Sequence, residues 1–381
     1  MKLQQIYTKC LAHAAYYLES DGEVALFDPL RDPKPYMEMA KNNQANIKYI
    51  FETHFHADFV SGHLDIAQAT GAKIVYGPTA KPSFDAIIAK DAPTKEEDPE
   101  FSPEDIRYSV VRYVASTTRN AVGPSVSDPR SGEIIESDII WYHNHLRSYR
   151  NRYLLETGAA NPSARTLDTQ PKEIGEMMRQ VIAHEVGHAL GFPHNMAASY
   201  AYDVEDYRDG DFTQENGIAA CLMDYARYNY IAQPGDEGIR FVRQMGPYDH
   251  YATNWGYRVI PNANSPEAEK ATLNQWILEK ADDPRFKFGR QSSRFDPQSQ
   301  TEAIGNDPMK ASDYGLKNLK YVAKNLPSWT SSKTNDYEDL KELYGELLGV
   351  WSRYVGHVVT NVGGVYQNLK TPQQGGQVYT Y

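Results

Sequence analysis

The chain has 381 residues, 41% of them hydrophobic, and this length and composition predict two to three domains with buried cores. The formal net charge of −11, without a basic run, argues against a nucleic-acid surface, and since no stretch approaches about 18 apolar residues we expect no membrane span. The 2 cysteines, Cys10 and Cys221, fall in different predicted domains and provide no disulfide framework.

Residues 1–91 are predicted to alternate strands and helices. Two strands form a hairpin around Ser20-Asp21-Gly22-Glu23, and a short helix follows Asp28-Pro29. The apolar residues 47–51 predict a strand that leads into Thr53-His54-Phe55-His56-Ala57-Asp58-Phe59. A helix near residues 64–70 and a strand at residues 73–76 complete this part.

These elements resemble the opening of the metallo-β-lactamase fold, and most closely its branch of persulfide dioxygenases and rhodanese-linked relatives. The resemblance implies that His54 and His56 ligate a metal, with Asp58 as a second-site ligand or proton acceptor. Phe59 stands where many relatives have another histidine, and no Gly-His-Thr-like turn follows residue 91. Because two imidazoles alone hold a transition metal weakly, we expect an incomplete αββα segment here.

The next part of the chain is predicted to pass from a linker into strands. Residues 92–104 are assigned to the linker, because residues 91–100 are acidic and contain prolines. Residues 107–114, which are β-branched and aromatic, predict a strand. Residues 120–141 predict a hairpin around the turn-forming run Asp128-Pro129-Arg130-Ser131-Gly132.

An amphipathic helix is predicted to begin near Pro171, with Asp168 or Thr169 as its cap. Its apolar stripe consists of Ile174, Met177, Met178, Val181 and Ile182. The stripe leads into residues 184–194, whose sequence His-Glu-Val-Gly-His-Ala-Leu-Gly-Phe-Pro-His is the most informative segment of the chain.

This segment has the spacing of a catalytic zinc site. A helix places His184 and His188 on one face, about one turn apart. Gly191 tolerates the left-handed conformation that ends a helix, and the turn brings His194 back as a third ligand. Three imidazoles leave one position of a tetrahedral Zn²⁺ open for water, and Glu185 projects beside it. The pattern predicts metal-assisted hydrolysis with one catalytic Zn²⁺; the alternative is a surface helix with solvated histidines.

The segment Cys221-Leu222-Met223-Asp224-Tyr225 follows the zinc motif further along the chain. Together the two segments resemble the metzincin clan of zinc peptidases. The resemblance implies that Met223 forms an apolar floor under the three imidazoles. It also implies that Tyr225 binds the metal or donates a hydrogen bond to the transition-state oxyanion. Ordinary core packing of these two side chains is the alternative.

One family within this clan is resembled most closely: the large, exported, zinc-dependent metzincin-like peptidases of Bacteroidota-type bacteria. The segments similar to that family are residues 107–114, 123–125, 128–135 and 246–249. The resemblance extends from about residue 98 to residue 381 and departs in Cys221, where a serine is expected. It implies that an edge strand near residues 122–127 pairs with a peptide substrate, although an ordinary surface hairpin fits the sequence equally.

The predicted fold class is α+β, with a zincin catalytic domain and a mostly helical C-terminal part. The domains are a partial metallo-β-lactamase-like segment (1–91), the linker (92–104), the metzincin-like core (105–262) and a helical extension (263–381). Helices of the extension are predicted at residues 266–282, 313–325 and 336–362. Residues 92–106 are too few for the strand and long helix that precede such a core in the peptidase family, so we expect a fusion of two truncated domains.

The sequence therefore predicts a zinc-dependent metalloendopeptidase in which Glu185 is the general base and the substrate is a peptide or protein. Two alternatives stay open: a metallo-β-lactamase-type hydrolase or persulfide dioxygenase using His54 and His56, and a truncated fusion that binds zinc without turnover. Residues 1–5 lack the apolar core of a secretion signal although the resembled peptidases are exported, so the compartment stays open, as does the oligomeric state.

Overall fold

A computed structural model describes residues 2–8, 13–53, 61–76, 87–88, 92–106, 108–261, 263, 265–291, 295–331 and 336–381. The chain forms two compact units, one of residues 1–102 with 256–262 and the other of residues 103–255 with 263–381. The fold is mixed α and β, with a helical C-terminal part, as the sequence predicts. Among the described residues, no helix is both long enough and apolar enough to cross a membrane.

The first unit is built on a six-stranded sheet whose strands follow one another in sequence order. Its antiparallel part consists of β1 (Lys2–Thr8), β2 (His13–Ser20) and β3 (Glu23–Phe27). Its parallel part continues from β3 through β4 (Asn46–Glu52), β5 (Lys73–Tyr76) and β6 (Ile87–Ile88). Parallel neighbours need a crossover connection, and α1 (Lys34–Asn42) and α2 (His63–Thr70) provide the first two.

The predicted hairpin between β2 and β3 is confirmed. Asp21 and Gly22 have φ values of 51° and 75°, the left-handed pair that suits a tight turn between antiparallel strands. The unit has an apolar core of its own, in which Leu26, Ile50 and Ile66 are fully buried between the sheet and its helices.

The second unit begins with short strands. They are β7 (Val111–Val114), β8 (Ala121–Val122), β9 (Ser125–Ser127), β10 (Ile134–Ser137) and β11 (Ile139–Tyr142). β11 lies between β7, its parallel partner, and β8, its antiparallel partner, while β9 and β10 form the predicted hairpin. The strand predicted at residues 107–114 is shorter than expected, because the ladder with β11 begins only at Val111.

Helices make up most of the remaining chain. They are α3 (His145–Thr157), α4 (Pro171–Ala189), α5 (Gly210–Asn216), α6 (Pro247–Tyr257), α7 (Pro266–Leu278), α8 (Pro308–Thr330) and α9 (Glu338–Val359), followed by the strand pair β12 (Tyr366–Gln367) and β13 (Tyr379–Thr380). α7, α8 and α9 confirm the predicted C-terminal helices with shifted ends. α8 begins earlier than predicted because the Asp307 side chain caps it, accepting hydrogen bonds from the N–H groups of Met309 and Lys310.

The core of the second unit lies where α3, α8 and α9 meet residues 196–232, a mostly irregular segment that includes α5. Tyr354 of α9 packs against Tyr230 in a tilted arrangement, with 4.4 Å between ring centroids, and its carbonyl accepts a hydrogen bond from Ser312 of α8. Residues 218–226, which include the predicted methionine turn, therefore pack in one core with the C-terminal helices α8 and α9.

Candidate metal centre

The helix α4 carries two of the three predicted metal ligands. Its N-cap is Gln170, whose side chain makes no capping hydrogen bond, so the predicted cap at Asp168 or Thr169 is wrong. Pro171 occupies the first turn, where its missing N–H leaves no hydrogen bond unmade. The buried face of the helix includes Val181 and His184, so the ligands are carried into the interior.

The end of α4 directs the third histidine. Gly191 has a φ of 83°, and its N–H donates to the His188 carbonyl at 2.8 Å. The Phe192 N–H donates to the Gly187 carbonyl at 2.9 Å. These two bonds form the Schellman arrangement that closes a helix around a left-handed glycine. The chain then reverses, and His194 lies beside the two helical histidines.

The three rings converge through one nitrogen each. His194 Nε2 lies 3.3 Å from His184 Nε2 and 3.0 Å from His188 Nε2. Two nitrogens bound to a tetrahedral Zn²⁺ at about 2.0–2.1 Å would lie about 3.4 Å apart. The separations therefore fit one ion shared by three imidazoles, and these histidines form a potential metal cluster among the described residues.

The outer nitrogen of each ring fixes its tautomer. Nδ1 lies 2.7 Å from the Leu222 carbonyl in His184, 2.9 Å from the Phe192 carbonyl in His188, and 2.8 Å from Gln291 Oε1 in His194. Since these oxygens only accept, each Nδ1 carries the proton and each Nε2 keeps a lone pair. Three lone pairs aimed at one point repel each other unless a cation lies between them.

The charge state of the rings agrees with this tautomer. Burial lowers the pKa of all three imidazoles, most strongly for His184, where the neighbouring Arg243 guanidinium lowers it further. The rings are thus neutral at pH 7, which is the form that binds a metal.

Met223 packs against α4 at Gly187, which lies between the two helical histidines in sequence. It is 3% exposed, and a Cβ on Gly187 would overlap its sulfur. The turn is fixed by the buried Asp224 carboxylate, which accepts hydrogen bonds from the N–H groups of Ser199 and Ala226 at 2.9 and 2.8 Å. Met223 therefore packs against the helix that carries His184 and His188.

Tyr225 lies beside the same cluster. Its ring centroid is 4.3 Å from that of His194 and 5.6 Å from that of His184. Burial raises the pKa of the Tyr225 phenol, although the Arg227 guanidinium, 5.2 Å from its ring centroid, acts in the opposite direction. The hydroxyl therefore keeps its proton at pH 7 and can donate it in a hydrogen bond.

Glu185 is 7% exposed and lies against Gly123, the residue that follows β8. Burial raises the pKa of its carboxyl group to about 7, against the lowering effects of Arg243 and of the hydrogen bond from the Gly123 N–H. A group with this pKa can both accept and return a proton near neutral pH.

A cleft of about 790 Å³ opens over these residues. Its wall includes His184, Glu185, His188 and Tyr225, together with residues 119–125, which contain β8. Among the described residues β8 pairs only with β11, so the strand lies at an edge beside the cleft. Residues 122–125 of the predicted substrate-binding edge line the cleft, whereas residues 126–127 do not.

The histidine cluster lies in a part of the chain that matches a known protein family. Residues 166–381 match the family model described as Met-zincin, which covers more than half of the chain. The chain belongs to the Met-zincin family. Residues 8–146 match the model of the metallo-beta-lactamase superfamily, and this match extends beyond the first unit through β11.

Similar proteins of known sequence and structure each match about a quarter of this chain or less. The hydroxyacylglutathione hydrolase of Erythrobacter litoralis is 39% identical over 69 residues, which are 17% of this chain and 27% of that protein. The cytoplasmic hydroxyacylglutathione hydrolase of Arabidopsis thaliana is 34% identical over 98 residues, which are 24% of this chain and 38% of that protein. The chain thus spans roughly a quarter to two fifths of the length of these relatives.

A metallo-beta-lactamase structure from Staphylococcus aureus is 34% identical, with a TM-score of 0.20, and the match covers 22% of this chain and 25% of that one. The family matches and the three-histidine cluster are both features of metal-dependent hydrolases.

The Met-zincin site includes residues that sequence reasoning missed. Arg243 is 2% exposed and donates hydrogen bonds to the carbonyls of Leu222, at 2.7 Å, and Asp224, which holds the methionine turn against α4. Gly123 approaches α4 so closely that a Cβ there would lie 2.5 Å from the Glu185 carbonyl oxygen. A lone arginine carries no motif, so no sequence signal marks Arg243. Gly123 lies within residues 122–127, which are predicted as a substrate-binding edge, but its contact with Glu185 is not predicted.

The other predicted site has a different outcome. His54, His56 and Asp58 lie outside the described residues. The residues that precede them are described: the Asp28 carboxylate accepts hydrogen bonds from the Thr53 N–H and hydroxyl, both at 2.7 Å, at the end of β4. The strand β4, which leads to this motif, therefore forms as the metallo-β-lactamase resemblance implies.

Proposed function

We propose that this chain is a zinc-dependent endopeptidase. The observation that carries the proposal is the convergence of three neutral imidazole nitrogens beside a buried carboxyl group, in a cleft edged by a free strand. Membership of the Met-zincin family supports the peptide as substrate. The strand β8 at the cleft edge adds support, because an extended peptide can pair with an open sheet edge.

Zinc is the metal that the ligand set favours. His184, His188 and His194 would hold it through Nε2, and three imidazoles with one open position are the usual arrangement of a hydrolytic zinc site. When bound there, the ion would polarise the substrate carbonyl and lower the pKa of water at the open position.

Glu185 moves the proton. Its carboxylate accepts the proton of the attacking water and passes it to the nitrogen of the leaving amine. The raised pKa, caused by burial, makes it a stronger base than a solvent-exposed glutamate. The Gly123 N–H orients the carboxylate by donating a hydrogen bond to it.

Tyr225 and β8 position the substrate. The Tyr225 hydroxyl donates a hydrogen bond to the oxyanion that forms as water adds to the carbonyl. The backbone groups of β8 that do not face β11 can pair with an extended peptide, so that the scissile bond runs past the histidines.

The test is Glu185→Gln, with Glu176→Gln as matched control. Glu176 lies on the same helix and pairs with Arg179 and Arg240 outside the cleft. We expect Glu185→Gln to retain one zinc per chain and to cleave casein about 10²–10⁴-fold more slowly. Glu176→Gln should cleave at the parent rate. Undiminished cleavage by Glu185→Gln would refute the proposed role.

A further inference from the structure

The charges around the histidines differ in sign from those of the chain as a whole. The chain has 50 acidic and 39 basic residues, yet the charged side chains that line the cleft are four arginines and two glutamates. They are Arg119, Arg152, Arg227, Arg243, Glu185 and Glu302. A positive cleft in an acidic protein concentrates anionic ligands at that one place.

A second cavity, of about 1050 Å³, lies on the His194 side and shares Pro193 with the first. Its charged lining consists of Arg290 and Arg353, and no acidic residue lines it in the described part of the chain. His184 and His188 line the first cavity and His194 lines the second, so a polypeptide bound across the histidine cluster can reach both positive cavities.

The internal ion pairs do not cancel this charge. Glu302 is the shared partner of three guanidiniums, with N–O distances of 2.8 Å to Arg152, 3.1 Å to Arg227 and 2.8 Å to Arg353. Burial alone would raise the pKa of Glu302, but these three cations lower it to about 2, so it bears one full negative charge. One charge offsets three only in part.

A second acid, Glu156, lies near this cluster. Glu156 pairs with Arg152 and is completely buried, and burial raises the pKa of its carboxyl group. Arg119, in contrast, is neutralised by Glu342 and Glu346 and adds little to the cleft. The surplus of positive charge therefore belongs to Arg152, Arg227 and Arg353, together with the exposed Arg290.

These guanidiniums are accessible from the cavities that they line. The side chains of Arg152, Arg227 and Arg353 are 19%, 25% and 37% exposed. Each is anchored by Glu302, so it needs little reordering to meet a ligand, and a pre-ordered guanidinium binds a carboxylate in a planar, two-bond geometry.

We propose that the substrate of this site is an acidic stretch of polypeptide, whose carboxylates contact Arg152 and Arg227 in the first cavity and Arg290 and Arg353 in the second. The proposal rests on the proposed endopeptidase function. A polypeptide is favoured over a nucleic acid because β8 at the cleft edge offers backbone pairing that only a peptide can use.

The test uses three peptides of equal length that differ only in the two residues on each side of the scissile bond, which are Glu, Gln or Lys. We expect the Glu peptide to have a kcat/KM about tenfold above that of the Gln peptide, with the Lys peptide slowest. The preference should shrink in 0.5 M salt (roughly a 4 Å screening length), because screening weakens charge recognition. Equal or faster cleavage of the Gln or Lys peptide would overturn the proposal.

Single substitutions locate the preference. Arg227→Gln and Arg290→Gln should each bring the Glu-to-Gln ratio closer to one, and Arg290, being exposed, keeps the test valid if Arg227→Gln does not fold. Arg179→Gln is the control, because Arg179 is 59% exposed on α4 and pairs with Glu176 outside both cavities. An unchanged ratio in both cleft variants would contradict the assignment.

Binding separates this proposal from the endopeptidase function. Fluorescence anisotropy with zinc-loaded Glu185→Gln protein measures the affinity for the same peptides without turnover. If no peptide is cleaved by the parent but the Glu peptide binds about tenfold more tightly than the Gln peptide, the peptidase function fails and the acidic specificity stands. If peptides are cleaved but bind without charge preference, the specificity fails alone. Tighter binding of a single-stranded oligonucleotide than of the Glu peptide would also overturn it.

Discussion

The two units of the chain each carry a pair of closely spaced histidines, but the pairs depend on different kinds of structure. In the second unit, His184 and His188 lie on one helix, and a glycine turn returns His194 within ten residues. In the first unit, His54 and His56 follow the end of β4, and in the resembled fold the remaining ligands come from distant loops. A ligand set encoded in one helix and one turn needs only local geometry, whereas a set spread over a domain needs the whole domain.

The surroundings of the two motifs show the same contrast. Around the second motif every ring nitrogen has an assigned role, since each Nδ1 has an acceptor oxygen and each Nε2 faces the other two. Around the first, the described residues form the scaffold of a metallo-β-lactamase-like sheet, including the bonds from Thr53 to Asp28. We therefore expect the two units to differ most in metal binding.

The largest expected effect separates the two histidine pairs directly. His188→Ala should abolish stoichiometric zinc binding, because two of three imidazoles remain and a two-histidine site is weak. His56→Ala should leave the zinc content at one per chain. Metal analysis of both purified variants after dialysis measures this, and zinc lost from the His56 variant alone would reverse the comparison.

A smaller effect is expected at the oxyanion. Tyr225→Phe removes the hydroxyl while keeping the ring that packs on His194, so zinc should stay bound. Loss of one such hydrogen-bond donor lowers kcat by about 10²–10³-fold. The measurement is kcat and zinc content of the same preparation. A parent-like kcat would leave Tyr225 with a packing role only.

The pH dependence of stability gives a third test. Burial raises the pKa of the Glu185 carboxyl group in the folded, metal-free chain from its ordinary value of 4.5 to about 7. Protonation of Glu185 thus stabilises the folded state below about pH 4.5, and this contribution, about 3 kcal/mol, is lost as the pH rises through 7.

Urea unfolding with a chelator at pH 5 and pH 8 measures this loss. Glu185→Gln, which cannot ionise, should lose less stability over that range than the parent. If parent and variant lose stability equally, the carboxyl group is not held in the buried state described here.

The smallest expected effect concerns the packing of Met223 against α4. Gly187→Ala places a methyl group against the Met223 sulfur, and such overpacking costs about 1–3 kcal/mol of unfolding free energy. Gly175→Ala on the same helix is the control, because nothing lies within 4 Å of its added Cβ. It should stabilise by about 0.5–1 kcal/mol, since alanine is the better helix former. Equal urea midpoints for the two variants would show that Met223 does not pack where described.

Local patterns carried most of what could be predicted from the sequence. The spacing of His184, His188 and Gly191 determined the converging rings, because helix geometry and a left-handed glycine act within one segment. The resemblance alone directed attention to Met223 and Tyr225. The cap at Gln170 was missed because Asp168 and Thr169 are better capping residues by type, and position in the fold overrode that preference.

The missed residues act over long distances. Gln291 bonds His194 across 97 positions, and Arg243 reaches Leu222 across 21. Such long-range contacts cannot be predicted from periodicity or from a motif. The same holds for Glu302, which gathers three arginines from α3, α9 and the segment after the methionine turn. The roles of Gln291, Arg243 and Glu302 therefore follow from the folded structure and not from the sequence.

The central claim is that three Nε2 atoms of the second unit share one divalent ion. X-ray absorption at the zinc edge of the loaded chain tests it most directly. The account predicts three imidazole nitrogens at about 2.0–2.1 Å with one further light atom and no sulfur. A shell with fewer imidazoles, or with the sulfur of Met223 or Cys221 bound to the metal, would contradict it.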